Sequence, residues 1–195
     1  QFRVFEKTAR LFERAGFKDL IKHCAATGGT LLNKKYHLDA VRVGIGLCGL
    51  YPSKELEVQL PKLHLKQVLS WRTIVTEIKN IPAGSFVGYD LAERARRPTK
   101  VAVLPIGYWH GFPRALSNSG HVLINGRLAK VLGRVSMDLT VVDVTGIQVR
   151  PGDIVTLIRR QKTEEITAEE IAEKCGTSHY EIVTRINPLI ERILA

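Results

Sequence analysis

From about residue 65 the chain abandons helical periodicity and becomes a succession of short apolar runs broken by turn-forming residues. No other feature narrows the possible folds as much. Val68 to Lys79 is rich in Val, Ile and Thr around Trp71, and Ile81-Pro82-Ala83-Gly84 then reads as a turn. Strands are expected at 68–79, 85–89, 100–106, 121–124, 128–132, 138–144 and 153–158. Asn118-Ser119-Gly120, Asn125-Gly126 and Arg150-Pro151-Gly152-Asp153 separate the later ones. Asn125-Gly126 is the strongest of these signals, because a two-residue hairpin needs two positive φ angles that Asn and Gly adopt readily. Short strands at this spacing predict an antiparallel barrel or sandwich. Beyond them, Thr167-Ala168-Glu169-Glu170 forms a capping box for a helix reaching Lys174, with Gly176 as its stop. Residues 179–185 are expected as a strand and 188–194 as a short helical turn.

The first fifty residues follow a different pattern. Val4, Phe5, Ala9, Leu11, Phe12 and Ala15 recur at helical spacing, and Gly16 ends that helix. Asp19 to Ala25 reads as a short strand. Ala26-Thr27-Gly28-Gly29 then reads either as an ordinary turn or as a helix opening whose amides, with the Thr27 hydroxyl, hold an anion. Leu38 to Leu47 reads as a buried strand ending in glycines, with Arg42 inside it needing a partner. Helix–strand–helix–strand predicts an α/β piece with parallel pairing, and Tyr51-Pro52-Ser53 marks its end. The fold class expected is therefore mainly β: an α/β piece over 1–53 and an antiparallel, barrel-like domain over 54–195.

Composition removes several function classes. The 195 residues carry a net charge of +10. The basic residues are scattered, however, and are not interleaved with aromatics as in a stacking platform for nucleic acid. Cys24, Cys48 and Cys175 are odd in number and far apart, so neither a disulfide framework nor a zinc site is expected. His64, His110, His121 and His179 have no metal-ligand spacing, and no metal is expected. No apolar run approaches a membrane span and no signal peptide opens the chain, so a cytoplasmic protein is expected. The first residue is Gln1 and the single methionine is Met137; the expectation is a chain cut from something longer.

Two stretches place a glycine before a tyrosine, Gly88-Tyr89 and Gly107-Tyr108. Read alone, these are either half-buried structural tyrosines or phenols lining one pocket. Together with Thr27, Arg42, the Gly44 and Ile45 amides, Gly133-Arg134-Val135-Ser136-Met137-Asp138 and Tyr180, they suit a phosphorylated, planar cofactor beside an acid–base phenol.

These residues, in this order, resemble alanine racemase, the pyridoxal-phosphate enzyme of fold type III, over nearly the whole chain. Pro105-Ile106-Gly107-Tyr108 with Gly111-Phe112-Pro113-Arg114, and Gly133 through Asp138, are the strongest signatures. The resemblance implies the last part of a cofactor-binding (β/α)8 barrel over 1–53 and the family's C-terminal β-domain over 54–195. It implies that Tyr89 is the catalytic tyrosine and that Thr27, Arg42, Gly44, Ile45 and Tyr180 bind pyridoxal 5'-phosphate. In that scheme Arg42 faces the pyridine nitrogen. Met137 binds the substrate carboxylate through its amide, with Tyr108, Arg134 and Asp138 near the substrate passage. It further implies a homodimer whose active site is shared between subunits, and a supply of D-alanine for bacterial peptidoglycan. The sequence departs from the family pattern at His110, where Asp is usual, at Ala26 for Asn, and at Asp90 for Gly. The family's cofactor-binding lysine lies in a part of the barrel that the match does not include, so the 195-residue chain alone is expected to be inactive. Alternatives kept open are a serine or broad-specificity racemase, a related basic amino-acid decarboxylase, a basic nucleic-acid-binding barrel, and a non-catalytic dimerisation domain.

Overall fold

A computed structural model describes residues 1–194. The chain forms two compact units, Gln1–Leu69 and the remainder from Ser70.

In the first unit, helix α1 spans Phe2–Arg14 and α2 spans Thr27–Leu32. Between them the expected strand at 19–25 is absent, and the backbone runs without regular structure. The expected strand at 38–47 is likewise reduced, to one parallel bridge between Ala26 and Arg42 followed by a 3-10 turn at Ile45–Cys48. The pairing has the direction the sequence predicts. A strand buried on both faces needs neighbours on both edges, and this segment makes a single bridge, which leaves Val41 and Leu47 exposed. Helix α3, Lys54–Gln59, starts at Ser53, whose hydroxyl accepts the Leu56 N–H at 3.3 Å.

The second unit is built on strands β1 (Trp71–Ile74), β2 (Glu77–Ile81), β3 (Phe86–Val87), β4 (Glu93–Arg94), β5 (Thr99–Leu104), β6 (His121–Ile124), β7 (Arg127–Leu132), β8 (Thr140–Asp143), β9 (Ile154–Gln161) and β10 (Glu164–Ile166). Eight of them form one antiparallel sheet in the order β1-β9-β6-β7-β8-β5-β2, with β10 on β9. The expected strand 68–79 is two strands, because Val75-Thr76 turns the chain from one end of the sheet order to the other. Thr76 N–H already bonds Val103 while Val75 N–H bonds Asp153. Strands at the two ends of the order are thus joined by a dipeptide, and the sheet curls into the barrel-like form that the turn spacing predicts. Asn125 and Gly126 have φ of 52° and 80° and close the β6–β7 hairpin.

Inward side chains from β6, β7, β8 and β9, among them Leu123, Val131, Val142 and Leu157, are fully buried. Trp71 meets Phe112 edge-on at 6.1 Å between ring centroids. Helices α4 (Ala168–Cys175) and α5 (His179–Thr184) follow the sheet. The capping box of α4 is present, with Glu170 N–H donating to Thr167 and Thr167 N–H to Glu170, both at 3.1 Å. The expected strand at 179–185 is instead the helix α5. Ser178 caps it by accepting from Glu181 N–H, and Ile182 and Ile186, both buried, recur at the helical interval of four.

Candidate active site

The expected strand 85–89 is shortened to β3 because Gly88 takes φ 77°, after which Tyr89–Leu91 form a 3-10 turn. This turn lies against the segment Gly133–Asp138. A β-carbon on Gly88 would sit 2.9 Å from the Arg134 nitrogen. Gly107 packs on the other end of the same segment, where its β-carbon would sit 2.4 Å from the Met137 carbonyl oxygen. Tyr108 and Trp109 then donate their amides to Ser136 and Met137 oxygens, each at 3.0 Å. One strip, 133–138, therefore receives both Gly-Tyr turns. Each turn leaves its phenol open, Tyr89 at 69% exposure and Tyr108 at 45%.

Other side chains fix this arrangement. Arg134 Nε lies 3.2 Å from Asp90 Oδ2, tying the strip to the Tyr89 turn. The carboxamide of Asn118 spans both: its Nδ2 donates to Ala92 at 3.1 Å and its Oδ1 accepts from Gly133 N–H at 2.5 Å. Ser117 accepts from Val135 N–H at 3.0 Å. Met137 and Asp138 are exposed, and the Met137 N–H has no protein acceptor among the described residues. A free, fixed amide in a polar strip can bind a carboxylate. Sequence reasoning read Asn118 only as part of a turn; its long-range role leaves no local signal.

Tyr180 lies on α5, partly exposed, with the His179 ring 4.8 Å from its own. A cavity of about 420 Å³ opens beside Tyr108, lined among others by Phe112, Arg114, Cys175 and Ile182. Burial, and then the Glu181 carboxylate, raise the Cys175 thiol above its ordinary range, which keeps it a neutral lining group.

In the first unit Thr27 is 4% exposed at the start of α2. Its oxygen accepts the Gly44 N–H at 3.0 Å and the Gly46 N–H at 3.4 Å. The hydroxyl hydrogen has no protein acceptor among the described residues, so it is available to an acceptor such as phosphate. The Gly44 amide, expected as a cofactor ligand, is here engaged with that hydroxyl; Ile45 follows it in the 3-10 turn. Arg42 is exposed rather than buried, and its guanidinium meets His23 Nδ1 at 2.5 Å and the His23 carbonyl at 3.2 Å. His23 is a partner that the sequence pattern did not single out. The donor set of hydroxyl, backbone amides and guanidinium fits an anionic, phosphorylated cofactor. Among the described residues no group of His, Cys, Asp and Glu could hold a metal ion, and no helix is long and apolar enough to cross a membrane.

The family models described as alanine racemase N-terminal domain and alanine racemase C-terminal domain match residues 1–52 and 68–194. Alanine racemase of Leptospira interrogans is 38% identical over 200 residues, covering 100% of this chain and 51% of the relative. That of Halothermothrix orenii is 44% identical over 173 residues, covering 88% and 45%. Among solved structures, Bacillus anthracis alanine racemase with bound L-Ala-P superposes with a TM-score of 0.90 at 35% identity, over 95% of this chain and 47% of that one. The Streptomyces lavendulae enzyme gives 0.87 at 33%, over 96% and 49%. The chain belongs to the alanine racemase family, whose cofactor is pyridoxal 5'-phosphate, and its fold is the family's β-domain preceded by a short α/β fragment. It spans about half the length of the relatives it matches.

Proposed function

We propose that this chain is the C-terminal half of an amino-acid racemase that interconverts L- and D-alanine, and that it is inactive alone. One observation carries the reading: two open phenols are presented by a single strip that also offers an unpaired amide and an arginine. Its relatives are alanine racemases, and they are twice its length. In this assignment residues 1–53 close a cofactor-binding barrel and 54–195 form the β-domain.

Inverting a stereocentre by proton transfer needs a proton acceptor on each face of the α-carbon. Tyr89 Oη would take or give the proton on one face, and the family's cofactor lysine, in the part of the barrel that the match does not include, would do so on the other. The Met137 amide orients the substrate carboxylate, while Tyr108, Arg134 and Asp138 line the passage to it. The Thr27 hydroxyl and the Ile45 amide would hold the cofactor phosphate, with the Gly44 amide ordering that hydroxyl; Tyr180 is carried as a further phosphate ligand by the family resemblance alone. Arg42, a permanent cation steadied by His23, would hold the cofactor ring at its nitrogen side, where a fixed positive charge disfavours protonation of that nitrogen. Bound pyridoxal 5'-phosphate supplies the electron sink that acidifies the α-proton. Tyr89 serves the cofactor of a second subunit, so the working form is a cytoplasmic homodimer. Its product is D-alanine for bacterial peptidoglycan.

The test incubates the 195-residue chain with pyridoxal phosphate and L-alanine, beside the full-length enzyme. The expected result is D-alanine from the full-length enzyme only. Appreciable turnover by the chain alone contradicts the inactive half. No turnover by the full-length enzyme contradicts the racemase.

A further inference from the structure

The turn that presents Tyr108 is gripped from two sides. The strip holds one side through the Tyr108 and Trp109 amides. On the other stands Arg185-Ile186-Asn187, the segment that follows α5. Asn187 N–H donates to the His110 carbonyl at 3.1 Å, and Asn187 Nδ2 donates to the Trp109 carbonyl at 3.0 Å. Asn187 Oδ1 accepts from Leu189 N–H at 2.9 Å, which fixes the carboxamide with its amino end toward Trp109. Gly111, at φ 96°, lets the two segments meet: a β-carbon there would sit 2.4 Å from the Arg185 carbonyl oxygen. His110 closes the turn from inside by accepting Gly107 N–H on Nδ1 at 3.2 Å.

We propose that Asn187 is a positioning residue for Tyr108. Among the described residues it makes no hydrogen bond to a phenol; it acts through the Trp109 and His110 carbonyls. The grip also joins the Tyr108 turn to the helix carrying Tyr180, so the two phenols keep a fixed relation. What Tyr108 does for substrate rests on the racemase reading; the grip itself does not. Tyr108 meets no reacting atom in that reading. Loosening it removes binding common to ground and transition states, and so raises KM while leaving kcat nearly unchanged.

The test uses Asn187→Asp, which keeps the backbone donor and an acceptor for Leu189 but faces the Trp109 carbonyl with oxygen. Asn187→Ser is the second variant should the first fail to fold. Amide hydrogen exchange on the chain reads the grip. Protection at Tyr108 and Trp109 falls by about tenfold, the loss expected for one hydrogen bond. Protection at Val131 and Val144, bonded elsewhere in the sheet, stays unchanged. Unaltered protection at Tyr108 and Trp109 overturns the proposal. In the full-length enzyme the same variant raises KM for alanine several-fold with kcat within about twofold. Loosened amides with KM unmoved overturn the positioning role while the racemase reading stands. A wild-type enzyme without turnover overturns the racemase reading instead, and the grip is then decided by exchange.

Discussion

The Cα of Gly107 faces the Met137 carbonyl so closely that a single added methyl group would lie 2.4 Å from its oxygen. This contact seats the Tyr108 turn on the strip that also carries the Tyr89 turn. A Gly107→Ala variant must push the two backbones apart. It is expected to lose about 1–3 kcal/mol of stability, the usual range for overpacking. Urea unfolding of the chain measures it, and a midpoint equal to wild type would show that the seat is looser than described.

Asn118 is expected to matter for the same site from farther away. In Asn118→Ala the Gly133 N–H, on a buried residue, loses its acceptor, and Ala92 loses its donor. An unsatisfied buried donor costs about 1–3 kcal/mol. Asn118 also sits at φ 59°, which an alanine tolerates poorly. Asn118→Gly relieves the second effect but not the first, so comparing the two variants by denaturation separates them. Equal stability of Asn118→Gly and wild type would contradict the hydrogen-bonding role.

In the first unit, Thr27→Val removes the oxygen that accepts from Gly44 and Gly46, whereas Thr27→Ser keeps it. The valine variant is expected to lose about 0.5–1.5 kcal/mol relative to the serine variant, because it removes the hydrogen bonds from the Gly44 and Gly46 N–H groups. Thermal unfolding followed by circular dichroism distinguishes them; indistinguishable curves would count against the Thr27 hydroxyl as the organiser of this loop.

His121 gives the fold a pH dependence. Burial first, then the nearby Lys174 and Lys130 ammonium groups, hold its imidazole below the ordinary histidine value. Lys174 Nζ lies 3.1 Å from its Nδ1. The unfolded chain takes up this proton at about pH 6.5, while the folded chain still resists it. Unfolding therefore binds protons in that interval, and stability is lost as pH falls from about 6.5 through the lower folded value. Melting temperatures measured between neutral and mildly acidic pH should fall less steeply in His121→Gln. Parallel curves for the two proteins would contradict the assignment.

The β-domain was legible where local rules and burial agree. Asn125-Gly126 closes a hairpin because its backbone angles demand those residues, and Thr167 with Glu170 caps a helix by purely local bonds. Reading failed where the apolar pattern was too short to carry a period. Residues 179–185 looked extended until Ser178 and the Ile182–Ile186 interval are seen together. The segment 38–47 has a strand's composition but makes only one bridge. At the site, the Gly-Tyr pairs were visible as turns. That Gly133–Asp138 seats both of them was not, because Asn118, Asp90 and Asn187 act across long sequence separations. His23 was invisible beside Arg42 for the same reason.

The account stands on Tyr89 as a proton carrier at an open rim, and D-alanine formation by the full-length enzyme with and without Tyr89→Phe tests it most directly. Removing an acid–base group should cut kcat by about 10²-fold or more, with pyridoxal phosphate still bound and the fold intact. Racemisation at a near wild-type rate by the phenylalanine variant would contradict it.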